Sequence, residues 1–211
     1  MEAPYKTIAK AAEWEIVIQK SRFIGHCYPV NSQEEAEEKL GELRKQYWDA
    51  SHNCYAYVIG RKGEVARFSD DGEPGGTAGR PMMEVLKALG LVDLLVVVTR
   101  YFGGTLLGAG GLMRAYSRTA SGTVQLAGII GMLPTNHYAL SMAYPQWSRL
   151  QHPLENASYR IESVDYGQRV TLFLAVRQRE EETFLQDIRQ RSDGQLEPVF
   201  LSLDSAHWPV S

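Results

Sequence analysis

Two glycine-rich segments contain most of the residue types in this chain that suit ligand binding or chemistry. The first covers residues 68–81 and places three acids, a threonine and an arginine among four glycines. Clustered carboxylates suit a divalent-metal site, proton transfer or the binding of a partner. The same composition also suits a ligand-free tight loop, because glycine adopts positive φ and aspartate hydrogen-bonds to turn backbone. The candidate binding residues are Asp70, Asp71, Glu73, Thr77 and Arg80.

The second segment, residues 98–116, leaves an apolar run, crosses a glycine-rich loop and enters a helix-like pattern. Unshielded N–H groups at a helix start form an anion site, although glycines there also permit close helix–strand packing. Two standard phosphate-binding motifs are absent. A P-loop would have lysine where this chain has Ala109, and the dinucleotide-binding fingerprint would have glycine or alanine where it has Met113. The candidate binding residues are Arg100, Tyr101, Gly103, Gly104, Thr105, Gly108, Gly110, Gly111 and Arg114.

The cysteines and histidines form a weaker pattern. His52 and Cys54 are two residues apart on a predicted strand, which separates them by about 7 Å and prevents a direct hydrogen bond. The paired-cysteine spacing of zinc sites is absent. The sequence therefore predicts no metal and no cofactor, and it assigns no catalytic residue.

The elements that must position these segments are mixed α and β in the first part of the chain. Ser32 followed by Glu35 has the pattern of a helix cap, and the apolar run over residues 91–99 is typical of a strand covered on both faces. A turn over residues 60–63 joins two strands as a hairpin. The predicted strands are 15–19, 22–28, 53–59, 64–68 and 91–99, and the predicted helices are 32–47, 81–89 and 110–127.

Composition changes near residue 133 and predicts a boundary between two domains, 1–133 and 134–211. Of the 19 glycines, 17 precede Leu133, and no lysine follows Lys87. We expect the preceding helix to be over before Pro134, and Pro153 to kink or shorten a later helix. Strands over 137–143, 159–165, 169–177 and 198–204 with helices over 145–156 and 180–191 give the order βαββαβ, which is ferredoxin-like. The predicted fold class is therefore α+β.

Charge and hydropathy limit the function classes. The 211 residues carry a net charge of −3, so there is no global basic field for non-specific nucleic-acid binding. Residues 61–118 hold eight basic and six acidic side chains, which permits a modest local patch. No apolar run approaches the roughly 18–20 residues of a membrane helix, and the first twelve residues do not have the pattern of a signal peptide. We expect a cytoplasmic protein.

Seven short motifs occur across the two glycine-rich segments and the strands before them. They are SRFIG at 21–25, HNCYA at 52–56, DDGEP at 70–74, GTAG at 76–79, VTRYFGG at 98–104, LGAGGL at 107–112 and RAY at 114–116. In this combination they resemble the IMPACT family, in particular its bacterial two-domain members of the YigZ type. The resemblance extends over residues 21–116, and Gly75 departs from it by standing where many relatives have serine.

The resemblance implies a fold and a biological setting. The first domain should share the βαβ fold of a small-subunit ribosomal protein, a domain of elongation factor G and the small-metabolite kinases, with a left-handed crossover. The second should be ferredoxin-like, similar to another elongation-factor domain. Eukaryotic members are linked to translational control, through competition for the activator of a kinase that acts on an initiation factor. The resemblance supplies no established catalytic residues.

Three function classes follow. The first is a non-enzymatic regulator associated with translation that binds RNA, the ribosome or a translation-related protein; an exposed Tyr55 or Tyr57 on the sheet would favour RNA. The second is a phosphate- or nucleotide-binding enzyme, with residues 103–111 around the phosphate and residues 70–73 holding Mg²⁺. The third is a protein-interaction module without a ligand. The regulator is the leading prediction.

Overall fold

A computed structural model describes residues 4–208 of the chain. The backbone contacts divide it into two compact units, a larger one formed by residues 5–131 and a smaller one that contains residues 132–208. We retain the predicted domain limits, 1–133 and 134–211, as a proposal. None of the helices within residues 4–208 is both long enough and apolar enough to cross a bilayer.

The larger unit is one antiparallel sheet with helices on both faces. Its elements are β1 (Tyr5–Ile8), β2 (Ala12–Ile18), β3 (Ser21–Pro29), α1 (Gln33–Gln46), β4 (His52–Ile59), β5 (Val65–Ser69), α2 (Gly79–Leu89), β6 (Leu94–Tyr101) and α3 (Gly108–Ala127). The sheet order is β2-β3-β6-β4-β5, and each neighbouring pair is antiparallel. Because β3 and β4 both run antiparallel to β6, they are parallel to each other, and α1 is the crossover between them.

Local sequence signals explain where these helices begin and end. The Ser32 hydroxyl accepts the Glu35 N–H at 3.2 Å, and the Glu35 carboxylate accepts the Asn31 N–H at 2.7 Å, so α1 begins as predicted. Gly90 ends α2 in the left-handed conformation, with φ of 66°. The predicted β-hairpin is present as β4 and β5.

Strand β6 is buried on both faces, as its continuous apolar run predicts. Leu94, Val96 and Val98 belong to the core beneath α2 and α3. Leu95 and Val97 belong to a second core beneath α1. The larger unit therefore has three layers, which are α1, the sheet, and α2 with α3. A side chain at the end of β6 lies at the edge of the core on the face to which it points.

The smaller unit confirms the ferredoxin-like prediction. Its four strands have the order β10-β7-β9-β8, within a five-stranded sheet that also contains β1. Its elements are β7 (Ile129–Met142), α4 (Tyr144–Glu155), β8 (Arg160–Tyr166), β9 (Val170–Arg177), a 3₁₀ turn (Gln178–Glu180), α5 (Glu181–Arg191) and β10 (Val199–Trp208). Apolar side chains from α4, α5 and the sheet form one core, which includes Trp147, Leu172 and Phe184. The α+β class is thus confirmed for both units.

The structure corrects three details of the sequence reading. Strand β7 begins at Ile129 rather than at residue 137, because Gly128, with φ of 77°, ends α3 abruptly and Pro134 is accommodated inside an extended strand. The short strand β1 was not predicted. Helix α4 continues through Pro153 to Glu155, because a proline in the last turn removes only one hydrogen bond near an end that already has unpaired carbonyls.

Candidate functional site

A cleft of about 560 Å³ opens in the larger unit, where the end of β6 and the beginning of β4 meet the start of α3. Both glycine-rich segments contribute to its walls. Much of the lining is apolar, with a few polar groups, the usual composition of a ligand site. Its lining includes His52, Glu73, Arg100, Phe102, Leu107 and Leu112.

Sheet register brings Arg100 to this cleft. Arg100 on β6 lies opposite Phe23 on β3 and opposite His52 on β4, so the three side chains share a row across the sheet. The row continues the alternation of Leu94, Val96 and Val98 and therefore faces α2 and α3. An arginine thus occupies the position where the apolar core would otherwise continue.

A buried ion pair neutralises this arginine. Arg100 is 5% exposed and Glu73 is 7% exposed. Arg100 Nη1 donates to Glu73 Oε1 at 2.6 Å, and the Tyr116 hydroxyl donates to the same oxygen at 2.7 Å. Arg100 Nη2 donates to the Ser21 hydroxyl at 3.3 Å, while Nε has no hydrogen-bond partner among residues 4–208. Buried charges need such partners, because leaving one unpaired is costly.

Two aromatic rings contact the Arg100 guanidinium. Its central carbon lies 5.4 Å from the centroid of Phe23 and 5.5 Å from that of Phe102, within cation–π range. Phe23 is fully buried, whereas Phe102 is about half exposed and lines the cleft. Phe102 is therefore the contact of Arg100 that solvent or a partner can reach.

Asp70 holds the acidic loop in shape. Its carboxylate accepts backbone N–H groups from Gly76, Ala78 and Gly79 at 2.8–3.0 Å, at the start of α2. Its carbonyl accepts the Glu73 N–H at 2.9 Å. These contacts satisfy N–H groups that a helix start leaves unpaired, so Asp70 has a structural role and its loop places Glu73.

Asp71 fastens the other side of the loop to the sheet. It adopts a positive φ of 44°. Its carboxylate accepts the Asn53 N–H at 2.7 Å and Arg44 Nη2 at 3.1 Å. The Asp71 carbonyl lies 2.8 Å from His52 Nδ1, and the other ring nitrogen of His52 lies 3.9 Å from Glu73 Oε2. The loop thereby orients His52 at the edge of the cleft.

The start of α3 forms the opposite wall. The helix begins at Gly108, no side chain caps it, and its first turn holds no acidic residue. The preceding loop packs tightly against the turn between β2 and β3, since a Cβ on Gly103 would lie 2.0 Å from the Lys20 carbonyl carbon. Glycine is therefore required at residue 103 for close backbone approach.

Several predicted site residues lie away from the cleft. Thr77 donates to the Pro74 carbonyl at 2.7 Å, Arg80 forms an exposed ion pair with Glu84, and Tyr101 donates to Asp49 at 2.8 Å. The remaining candidates do not line the cleft as side chains. They are Gly104 and Thr105 in the exposed loop, and Gly110, Gly111 and Arg114 in α3.

The thiol and phenol next to the cleft are held in their protonated forms. Burial raises the pKa of Cys54 to about 12, and its sulfur lies 3.0 Å from the Asp70 carbonyl and 3.4 Å from the Tyr116 oxygen. Burial, together with the neighbouring Cys54 and Glu73, also raises the pKa of Tyr116 far above its ordinary value. Neither group is an activated nucleophile or a base at neutral pH.

The three acids of the first segment do not converge. Asp70 is turned to backbone N–H groups, Asp71 to Asn53 and Glu73 to Arg100. Among residues 4–208, no group of three or more His, Cys, Asp or Glu side chains could hold a metal ion. The residues present therefore do not fit the Mg²⁺ arrangement that the enzyme alternative requires.

The candidate binding residues predicted from the sequence do not include three residues of this site, His52, Phe102 and Tyr116. His52 and Arg100 become neighbours only through the register of β4 and β6. Tyr116 reaches Glu73 from the third turn of α3. The available signal was helical spacing, since Leu112 and Tyr116 are four residues apart and both face the core.

Comparisons with known proteins agree with this architecture. The family model described as the Impact N-terminal domain matches residues 19–124, and the domain of unknown function DUF1949 matches residues 140–195. The Bacillus subtilis protein named IMPACT family member YvyE is 40% identical over 190 residues, covering 90% of this chain and 88% of that protein. The Escherichia coli protein named IMPACT family member YigZ is 35% identical over 161 residues, covering 75% of this chain and 79% of that protein.

A solved structure described as a hypothetical protein has the same fold. It aligns with a TM-score of 0.59 and 29% sequence identity, and the alignment covers 96% of this chain and 99% of that one. The fold, the two domain matches and the similarity over most of the chain confirm the resemblance seen in the motifs: this chain belongs to the IMPACT family, with an Impact N-terminal domain followed by a DUF1949 domain.

Proposed function

We propose that this chain is a non-enzymatic regulator associated with translation, and that it holds a translation-related partner at the cleft between the acidic loop and α3. The observation that carries the proposal is the set of contacts on the cleft floor. Glu73 accepts from both Arg100 and Tyr116, the Cys54 thiol is buried beside them, and Arg100 Nε is the one buried polar atom of this set without a partner among residues 4–208. Such a floor supplies shape and fixed polarity, which suits binding better than bond making.

The rim of the cleft suits a macromolecular partner. Leu106 is 85% exposed and Phe102 is about half exposed, although both are large apolar side chains. Exposed apolar residues grouped around a concave site are a common sign of protein or ligand recognition. Association with translation is supported by the family resemblance and by the likeness to ribosomal and elongation-factor domains, which is an argument from fold analogy.

The sheet itself does not support base stacking. Tyr57 is 3% exposed in the core beneath α1, and Tyr55 packs partly buried against the same core. Their rings stack on each other at 5.9 Å. An RNA partner of this unit would therefore bind elsewhere than on the tyrosines of β4.

A second candidate is the binding of a phosphate group at the start of α3. The favouring observation is that this helix start lines the cleft without a side-chain cap or an acidic residue. Saturable binding of inorganic phosphate or a nucleoside triphosphate, measured by calorimetry and lost on Ala109→Pro, which removes an N–H of the first turn, would favour this candidate over the regulator.

The test is co-sedimentation with purified ribosomal subunits from the source organism over a series of salt concentrations. We expect wild type to bind one subunit and Leu106→Glu to bind at least about tenfold more weakly, a loss of about 1.4 kcal/mol. Leu126→Glu is the matched control, because Leu126 is an exposed leucine near the end of α3 that does not line the cleft. We expect it to bind like wild type.

Two results would overturn the proposal. Absence of wild-type binding to both subunits at every salt concentration would remove the association with translation. Equal binding by the Leu106 and Leu126 variants would remove the cleft as the binding site.

A further inference from the structure

Helix α3 presents two arginines whose charges are not neutralised within the described chain. Arg114 and Arg118 are exposed, and neither has an ion pair or hydrogen bond with any of residues 4–208. By contrast, the exposed Arg22 and Arg80 of the same unit pair with Glu15 and Glu84. Being four residues apart, the two arginines lie one turn apart on one side of the helix, about 6 Å along its axis.

The surroundings strengthen this positive charge. No Asp or Glu occurs between Asp93 and Glu155, so all of α3 and its approach lack acids. The helix also begins without an acidic residue or a side-chain cap. The one carboxylate that lines a hollow beside the arginines is Glu84, and it lies 3.2 Å from Arg80 in an ion pair. The exposed face of α3 is therefore electropositive although the whole chain is acidic.

Two hollows flank the arginine pair. One, of about 320 Å³, is lined by Ile18, Leu107 and both arginines. The other, of about 520 Å³, is lined by Met113, the same two arginines and the hydroxyls of Ser117 and Ser121. Leu107 also lines the cleft described above, so the first hollow adjoins it.

We propose that Arg114 and Arg118 bind the sugar–phosphate backbone of a single-stranded RNA segment. Planar guanidinium groups match phosphate oxygens, and neighbouring serine hydroxyls are common additional donors to the backbone. Both hollows adjoin the two arginines, and the larger one has mainly apolar walls. This gives room for unpaired bases and favours a single strand over a duplex or an acidic peptide. The choice of RNA as the polyanion rests on the proposed association with translation, whereas the binding of a polyanion rests on the two arginines alone.

The test measures the salt dependence of RNA binding. A short fluorescent oligouridylate is titrated with the full chain, and fluorescence anisotropy is followed between about 50 and 200 mM KCl. The variant is Arg114→Gln with Arg118→Gln. The matched control is Arg22→Gln with Lys39→Gln, which removes the same net charge from two paired basic side chains of the same unit that line neither hollow. Circular dichroism melting checks that both variants fold.

Loss of two phosphate contacts gives a defined change. For single strands the slope of log K against log salt is about −0.7 for each contact, so the variant's slope should be smaller in magnitude by about 1.4. Over a fourfold increase in salt, wild-type affinity should then fall about sevenfold more than the variant's affinity does. The control should keep the wild-type slope.

The outcomes separate this inference from the proposed function. No binding of RNA by wild type at about 50 mM KCl, or a double variant with the wild-type slope, overturns the inference. If ribosomal co-sedimentation persists in that case, the proposed function stands with a protein partner. If the oligonucleotide binds with the expected slopes but no subunit co-sediments, the inference stands and the association with translation falls.

Discussion

Removing the charge of Glu73 tests whether the cleft floor depends on the buried ion pair. Glu73→Gln keeps the size of the side chain and an oxygen that can accept from Tyr116, but it leaves the Arg100 guanidinium buried without a carboxylate. At an effective dielectric constant of about 20 and a charge separation of about 4 Å, the lost Coulomb attraction is about 4 kcal/mol. This agrees with the cost of about 3–5 kcal/mol for removing one partner of a buried pair.

The two side chains should show strong coupling. Arg100→Met leaves the Glu73 carboxylate buried without its cation, so we expect a similar loss of about 3–5 kcal/mol in the free energy of unfolding. The double variant buries no unpaired charge and should cost less than either single variant. The matched control is Glu84→Gln, which breaks an exposed pair with Arg80 and should change stability by no more than about 0.5 kcal/mol.

Hydrogen–deuterium exchange is the suitable assay, because it measures the stability of each unit from its own peptides. Peptides from β4 and β6 report on the larger unit, and peptides from β9 serve as an internal reference. A Glu73→Gln cost below about 1 kcal/mol, the value of an exposed pair, would refute the reasoning. A double variant that costs the sum of the two single variants would refute it as well.

Three further predictions concern other parts of the chain. Gly79→Ala should destabilise the larger unit by more than about 1 kcal/mol, because the new Cβ would lie 2.7 Å from the Ser69 carbonyl oxygen. Gly75→Ala is the control and should be nearly neutral, because its Cβ would meet no atom within 4 Å. Urea titration of both variants measures the difference. Cys54 should resist iodoacetamide at pH 8 in the folded chain and react after unfolding, because it is buried and its pKa is raised to about 12; mass spectrometry of the labelled protein checks this. Burial lowers the pKa of His137, but hydrogen bonds with two carboxylates outweigh that effect and raise it above 6.5. Protonated His137 therefore stabilises the smaller unit fully below pH 6.5, and this stabilisation is lost as pH rises through the raised pKa. In His137→Gln, the melting temperature of the smaller unit should depend less on pH above pH 6.5 than it does in wild type. Melting experiments over a series of pH values measure this.

Hydrophobic pattern and turn chemistry were sufficient to predict most of the fold. Ser32 with Glu35 marked the start of α1, Gly90 marked the end of α2, and the apolar run of β6 indicated a strand covered on both faces. The position of β7 was missed because Pro134 was read as a boundary. An extended backbone tolerates proline where the missing N–H is not needed by a neighbouring strand.

The site was predictable only as a pair of segments. Composition identified both loops, but it did not distinguish Asp70 from Glu73, which are chemically similar acids three residues apart. Their roles differ because three N–H groups at the start of α2 turn to Asp70, whereas Glu73 is directed toward Arg100. That difference depends on how the loop folds back on itself, which single-residue propensities do not contain.

The same reasoning explains why the two arginine sites of this unit have different chemistry. Arg100 and Arg114 are both in the second glycine-rich segment, but strand register places Arg100 in the core, where burial requires Glu73 as its partner. Helical spacing places Arg114 on the solvent side of α3, where no carboxylate of the described chain reaches it. A paired, buried arginine stabilises the shape of the cleft, whereas an unpaired, exposed one keeps its charge for a polyanion. The cleft variants and the α3 variants should therefore affect different measurements, stability and partner capture in the first case and the salt slope of RNA binding in the second.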